Sequence, residues 1–410
     1  MTEPRITTIA SGLRVASWAL PGLETAAVAL TAETGSRFER PEHNGLAHLF
    51  EHMVFKGTAR RSARAIAEEM EDVGGQLNAW TSRDTTMFHA RLLARDLALG
   101  VDLIADLVTG ARFDADDIVR EKEVVLQELG EARDTPDDIV FDYLQEAAYP
   151  GQPLGRSILG DESSLAGITR DDLMGWQTEH YAPQRLTLVA AGKVDHDALC
   201  RMAETAFPAS AGSTAVPPAD AVRFHAGRRH DARRIEQAQL TAGWAAPGHH
   251  DSAQDAALLF TLAAGGGMSS RLFQQVREER GLAYTVSASL QPYVDAGMMS
   301  VHAATDPKQA AAARDLIMAV LYETAAGLEQ AELNRARAQA VASLLMALEG
   351  PQGAADYLGR SLSVHRRFVP PAELVARIEA VTVDAARAAG AAMLGHAPAR
   401  AEIGRHKAAA

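Results

Sequence analysis

The sequence predicts an α+β fold of two similar domains, in each of which helices pack on one face of a largely antiparallel sheet. Strand patterns come in groups and helix patterns come in groups, instead of alternating one by one. The order of elements in the first half recurs in the second. A segment rich in Pro, Ala, Ser and Gly separates the halves. We therefore place a first domain at 1–207, a linker at 208–220 and a homologous second domain at 221–410.

The first half begins with the strand-like stretches ITTIA, RVASWAL and TAAVALTAETG, which alternate between apolar and polar residues. A helix is predicted from Asn44 to Phe55 with Asn44 as its N-cap, and Ser62 opens a second helix that Gly74 ends. The remaining elements of this half are predicted as strands near Gln76–Thr81 and Thr85–Leu93, helices at Leu97–Thr109, Asp114–Arg133 and Asp137–Ala148, and a strand at Leu186–Gly192.

The second half repeats this order after the linker. The stretch AQLTAGWA is typical of a strand, and the helix patterns that follow it are long and amphipathic. The predicted elements are a helix ending at Leu262, a helix at Ser270–Glu279, paired strands through Val301, helices at Lys308–Ala325 and Glu329–Leu348, and further helix to Leu394.

Composition narrows the classes of function. The formal net charge of −13 disfavours nucleic acid as a partner, because phosphate binding needs a clustered basic surface. Cys200 is the only cysteine, so a tightly bound metal must use His and carboxylate ligands rather than a thiolate cluster. The N-terminus does not resemble a signal peptide, and no apolar run approaches the roughly 20 residues that cross a bilayer. We therefore expect a cytoplasmic protein without a membrane partner.

The segment GLAHLFEHMVFKGT carries a pattern of metal ligands. His48 and His52 are four residues apart, so on a helix they lie one turn above each other and can hold one ion, with Glu51 beside them. The order H-x-x-E-H is the inverzincin signature. The alternative is two histidines that merely pack on a helix. A third ligand is expected on another helix, and the helix EKEVVLQELGEARD offers Glu121 and Glu128, although such a carboxylate stripe is also typical of a solvated edge.

These residues resemble the pitrilysin and mitochondrial processing peptidase family of metallopeptidases, in particular a bacterial two-domain branch that is similar to the processing peptidase beta subunit. In that family the motif is followed by a pair of glutamates, and the second of them is a zinc ligand. The resemblance implies one Zn²⁺ per chain, held by His48, His52 and Glu128, with Glu51 as the base that activates water. Glu121 takes the place of the family's additional helix carboxylate, which supports the site.

Other segments extend the resemblance to nearly the whole chain. GGQLNAWTSRDTTMF is similar to the family's strand that pairs with bound peptide, through Asn78 and Ala79. PLGRSILG, YAPQRLTLVAAGKVDHD and LNRARAQAVASLLMALEG look typical of the bacterial branch. In AAGGGMSSRLFQQVREERGLAYTV the glycines could mark a phosphate loop, but the GKS/T ending is absent. By resemblance, Arg277 and Tyr284 of this stretch contact the substrate near the scissile bond; the alternative is a solvated charge and a core tyrosine.

Assembly and substrate preference follow from the same resemblance. The family's complete catalytic unit has four such domains, so a chain that keeps both the zinc ligands and the Arg–Tyr pair is expected to form a homodimer, with a different related chain as the alternative partner. Asp138 and Asp142 share one helix face. They match two acids with which processing peptidases bind an Arg upstream of the cut, although acids also favour a helix N-terminus.

The predicted function is a zinc-dependent endopeptidase that acts on unfolded or presequence-like peptides and favours Arg near the cleavage site. The alternative is a catalytically silent structural subunit, like the respiratory-complex core proteins that share this fold. Those proteins have generally lost zinc ligands that this sequence retains.

Overall fold

The computed structural model describes residues 3–208 and 222–406, which form two compact units. The first unit contains the described residues within Met1–Leu129, Ser157–Ala219 and Met346–Val369. The second contains those within Gly130–Arg156, Asp220–Leu345 and Pro370–Ala410. The predicted linker lies outside the described residues, except for Pro208.

The first unit is built on a six-stranded sheet with the order β1-β2-β6-β3-β5-β4. Only β2 and β6 run parallel, and the other neighbours are antiparallel. In this order β4 is an edge strand, with β5 as its neighbour. The strands are β1 (Arg5–Thr8), β2 (Arg14–Ala19), β3 (Thr25–Ala32), β4 (Gln76–Thr81), β5 (Thr86–Leu93) and β6 (Leu186–Gly192).

Helices cover one face of this sheet because alternate strand residues are apolar on that side. Val28 and Leu30 of β3 are fully buried in one core with Phe50, Ile104 and Val125, which come from three different helices. The helices from this part of the chain are α1 (Leu46–Val54), α2 (Ala63–Glu71), α3 (Leu97–Gly110), α4 (Ala115–Asp134), α5 (Pro136–Ala148), α6 (Glu162–Gly167), α7 (Arg170–His180) and α8 (His196–Ala206). Of these, α5 belongs to the second unit.

The second unit has a five-stranded sheet with the order β7-β11-β8-β10-β9, in which only β7 and β11 run parallel. A helix is present where one was predicted at Ser270–Glu279, and it is of the π type from Phe273 to Glu279. The other elements from this part of the chain are β7 (Arg228–Asp231), β8 (Ala238–Ala246), α9 (Gln254–Gly265), β9 (Thr285–Pro292), β10 (Gly297–Thr305), α10 (Ala310–Gly327), α11 (Gln330–Ala347), α12 (Pro351–His365), α13 (Pro371–Ala380), α14 (Val383–Leu394) and β11 (Ala399–Ile403).

Each sheet also receives one helix on its opposite face, and that helix comes from the other part of the chain. α12 packs on β3 and β6, where a Cβ at Gly359 would lie 3.1 Å from Thr31 Oγ1. α5 packs on β8 and β11, and its Leu144 shares a core with Met298 and Ile403. The compact units therefore interleave along the sequence, whereas the domains predicted at 1–207 and 221–410 are contiguous. The α+β prediction is confirmed.

The helix that carries the histidine motif starts differently from the prediction. α1 begins at Leu46, and Gly45 precedes it with φ 94°, in the left-handed region that favours glycine. Asn44 is not the N-cap, because its side-chain amide donates to Glu39 Oε2 and to the carbonyl oxygen of Ser157, both at 2.9 Å. The buried Glu39 carboxylate instead accepts from the N–H groups of Gly45 and Ala47.

Within the described parts of the chain, no helix combines the length and apolar composition needed to cross a membrane.

Candidate metal centre

His48 and His52 of α1 converge with Glu128 of α4. One ligand atom from each of the three side chains lies within 4.8 Å of the other two. Oε2 of Glu128 is 3.9 Å from Nε2 of His48 and 3.7 Å from Nε2 of His52. These separations are too long for hydrogen bonds, so the donors surround a common point without bonding to one another.

The donor set fits a catalytic zinc ion. Zinc bonds to nitrogen and oxygen of about 2.0–2.1 Å place tetrahedral ligands roughly 3.4 Å apart, a few tenths of an ångström closer than the atoms lie here. Small side-chain rotations would close that difference. Burial, followed by the neighbouring His52, lowers the pKa of His48 to about 4, so its ring is neutral near pH 7 and has a lone pair to offer. Two imidazoles and one carboxylate leave a coordination position open.

A buried carboxylate orients His52. Oε2 of Glu121 lies 3.2 Å from Nδ1 of His52, and Glu121 is 6% exposed. A proton on Nδ1 that is donated to Glu121 leaves the lone pair on Nε2, the atom that faces Glu128. Nζ of Lys56 lies 2.8 Å from the other oxygen of Glu121. The family resemblance predicted Glu121 as a supporting carboxylate, whereas no sequence pattern pointed to Lys56 as part of the site.

Glu51 lies on α1 with the two histidines, and its carboxylate has a hydrogen-bond partner of its own. Thr81, at the end of β4, donates a hydrogen bond of 2.6 Å from Oγ1 to Glu51 Oε2. Burial raises the pKa of Glu51, and the hydrogen bond from Thr81 offsets part of that effect. A carboxyl with a raised pKa is suited to accepting and returning a proton near neutral pH. Sequence reasoning missed Thr81, because nothing in the strand pattern distinguishes it from any other strand threonine.

Asn78 and Ala79 lie on the edge strand β4, three and two residues before Thr81. Asn78 is exposed and Ala79 is buried, as expected for alternation along a strand. An edge strand presents backbone N–H and C=O groups to which an extended peptide can add as a further strand. The residues predicted to pair with substrate are therefore in the same unit and on the same strand as the partner of Glu51.

Four other predicted site residues lie in the second unit. The guanidinium carbon of Arg277 is 5.3 Å from the ring centroid of Tyr284, so the structure brings this pair together. Tyr284 is 71% exposed, which contradicts the alternative of a core tyrosine. On α5, Asp138 is exposed in the first turn and Asp142 is half-buried one turn later.

Comparisons with known proteins decide the family. A Streptomyces coelicolor protein named an uncharacterized zinc protease is 34% identical over 410 residues, which cover 98% of this chain and 89% of that protein. A Mycobacterium tuberculosis protein of the same description is 36% identical over 413 residues, which cover 98% of this chain and 93% of its own. The family model of "Insulinase (Peptidase family M16)" matches residues 14–162, and that of "Peptidase M16 inactive domain" matches residues 167–340. The chain belongs to peptidase family M16.

A further relative and a solved structure are also similar to this chain. An Arabidopsis thaliana protein named "Probable mitochondrial-processing peptidase subunit beta" is 35% identical over 399 residues, which cover 92% of this chain and 74% of that protein. A Helicobacter pylori protease of known crystal structure has the same fold, with a TM-score of 0.92 at 20% identity over 98% of this chain and 99% of that one. The resemblance to the pitrilysin and processing peptidase family is confirmed. Relatives named zinc proteases support zinc as the metal and a peptidase function for the M16 chain.

Proposed function

We propose that this M16 chain is a zinc-dependent endopeptidase with one zinc ion per chain. His48, His52 and Glu128 would hold the metal, and Glu51 would move the proton. The observation that carries the proposal is the convergence of the three donors, with the half-buried Glu51 carboxylate on the same helix as the two histidines. A purely structural subunit does not require three converging metal donors with a carboxylate next to them.

The side chains divide the work of hydrolysis. When bound, zinc supplies Lewis acidity, which polarises a peptide carbonyl and acidifies water. Glu51 accepts the proton of the attacking water and returns it to the leaving amine. The hydrogen bond from Thr81 occupies Oε2 of Glu51 and so leaves Oε1 to exchange the proton. The backbone of β4 at Asn78 and Ala79 binds the extended peptide.

Arg277 and Tyr284 form a pair of donors that suits the oxyanion that develops on the substrate carbonyl. Their proximity and the exposure of Tyr284 support this role. We assign them to substrate contact across a homodimer, in which each metal centre faces Arg277 and Tyr284 of the partner subunit.

The proposed substrates are unfolded or presequence-like peptides with Arg near the cleavage site. Asp138 and Asp142 present two carboxylates on one face of α5, and two carboxylates around one guanidinium form charge-assisted bonds that Lys satisfies less well. The net charge of −13 favours basic peptides. The Arabidopsis relative named as a processing peptidase supports the same class. A cytoplasmic location stays a prediction from the sequence.

Metal removal and reconstitution test the proposal. We expect dialysis of the purified chain against a strong chelator to abolish cleavage of a peptide mixture, and stoichiometric zinc to restore it. His52→Ala should lose both metal and activity, whereas Lys193→Met, which removes an exposed ion pair with Glu24, should lose neither. Full activity after verified loss of metal would contradict the proposal, and a zinc-loaded chain that cleaves no peptide would favour the structural subunit.

A further inference from the structure

Lys56 sits just beyond the end of α1 and reaches α4. Its Nζ is 2.8 Å from Oε1 of Glu121, whose Oε2 is 3.2 Å from Nδ1 of His52. The Glu121 side chain is 8% exposed and the Lys56 side chain 35%. Both oxygens of a buried carboxylate are therefore used, one by a cation at the end of α1 and the other by a predicted zinc ligand.

We propose that Lys56 is a positioning residue of the metal centre: by holding Glu121 it fixes the ring of His52 and the placement of Glu128, and so raises the affinity for zinc. This inference rests on the proposed function in one respect, namely that the centre holds zinc.

The first part of the argument concerns the His52 ring. An imidazole that is held at Nδ1 keeps Nε2 aimed at the metal position, and loss of such outer partners typically lowers metal affinity tenfold to about a hundredfold. Glu121 can hold the ring only while its own carboxylate stays in place. Without Lys56 the buried carboxylate has one partner instead of two, and it gains by rotating towards water, away from His52.

The second part concerns the helix that carries the third ligand. Glu121 and Glu128 are seven residues apart on α4, two turns or roughly 10.5 Å along the same face. The Lys56–Glu121 ion pair ties this face of α4 to the end of α1, the helix of both histidines. A slip of α4 along or about its axis would move Glu128 away from His48 and His52, and the ion pair opposes that slip.

Lys122 offers a matched control, because it is the next residue on α4 and its Nζ also anchors the helix. It donates to the carbonyl oxygens of Ala166 at 3.1 Å and Ile168 at 2.5 Å, at the C-terminal end of α6. Lys122→Met therefore removes a lysine anchor of α4 without touching the path from Lys56 through Glu121 to His52. If any lysine contact that anchors α4 were enough to place Glu128, the two variants would weaken zinc binding alike.

The test measures zinc affinity directly. The full-length protein is stripped of metal and titrated with zinc ions in competition with a chromophoric chelator, and thermal unfolding of the metal-free form is recorded alongside. We expect Lys56→Met to weaken zinc binding about tenfold or more, Lys56→Arg to recover most of that loss, and Lys122→Met to bind zinc as the unmutated chain does. In a Glu121→Ala background, Lys56→Met should cause no further loss, because its effect passes through Glu121.

Three results would overturn the inference: unchanged zinc affinity in Lys56→Met, equal losses in Lys56→Met and Lys122→Met, or a full further loss in the Glu121→Ala background. If the unmutated chain binds no zinc, the proposed function fails together with this inference. Normal zinc binding by the unmutated chain with any of the three results above would overturn the inference alone.

Discussion

Replacing Glu39 with alanine removes the carboxylate that holds the start of α1. The side chain is 4% exposed and accepts three hydrogen bonds, from the Asn44 amide at 2.9 Å, the Gly45 N–H at 3.0 Å and the Ala47 N–H at 2.8 Å. Each donor that is left buried without a partner costs about 1–3 kcal/mol. Three such losses would sum to about 3–9 kcal/mol, and because they do not add fully we expect a loss near the lower end, of about 3–5 kcal/mol.

Thermal unfolding of the metal-free protein measures this loss. For a unit of this size about 2–4 °C of Tm is expected per kcal/mol, so Glu39→Ala should unfold about 6–20 °C lower. Asp195→Ala is the control, because Asp195 caps α8 from an exposed position with a bond of 2.7 Å to the Ala198 N–H, and about 1 kcal/mol is expected. Equal shifts in the two variants, or an unchanged Tm in Glu39→Ala, would refute the reasoning.

Four further predictions follow from the site and the core. Thr81→Val should lower kcat about tenfold to a hundredfold with KM and zinc content unchanged, and Thr81→Ser should restore it; steady-state kinetics and metal analysis check this. Burial lowers the pKa of His180 to about 3, so the folded state binds a proton at this group less readily than the unfolded state does. The free energy of unfolding, measured with denaturant, should therefore be about 2 kcal/mol lower at pH 5.0 than at pH 6.5 because of this group. The His180→Gln variant should lack that loss. Mixing inactive Glu51→Gln and Arg277→Ala chains should recover part of the activity if the homodimer shares its sites, and no recovery despite subunit exchange would contradict it. In a peptide series with Arg, Lys, Ala or Glu two residues before the cut, Arg should be cleaved fastest, and Asp142→Ala should flatten that ranking.

Local patterns predicted the parts of the site that depend on local geometry. His48, Glu51 and His52 share one helix, and helical spacing alone places them near each other. Glu128 was a prediction of a different kind, because a carboxylate stripe on α4 does not say what the helix faces. Only the family resemblance selected it, and the structure then brings it within 3.7 Å of His52.

The supporting residues could not be predicted because each acts through a tertiary contact. Lys56 and Thr81 approach Glu121 and Glu51 from other elements, and no spacing in the sequence encodes those pairs. Glu39 lies six residues before Gly45, the first backbone N–H that it binds at the start of α1. This spacing is outside the usual capping pattern, so Asn44 was the more plausible cap by residue type.

The packing of α5 on the sheet of the second unit, and of α12 on the sheet of the first, could not be predicted for a similar reason. The apolar faces of α5 and α12 indicate that each helix is buried on one side, and both helices were predicted. An amphipathic pattern does not specify which of two sheets receives that side. Strand β11 was not predicted because it is only five residues long, ARAEI, and two of its side chains are charged.

Zinc content and cleavage measured together on the unmutated chain and on Glu51→Gln test the central proposal most directly. Glu51 is outside the donor set, so its neutral isostere should leave the metal in place while removing the group that moves the proton. We predict about one zinc ion per chain in both proteins and peptide cleavage by the unmutated chain alone. Cleavage by Glu51→Gln at an undiminished rate, or an unmutated chain that cleaves without zinc, would contradict the account.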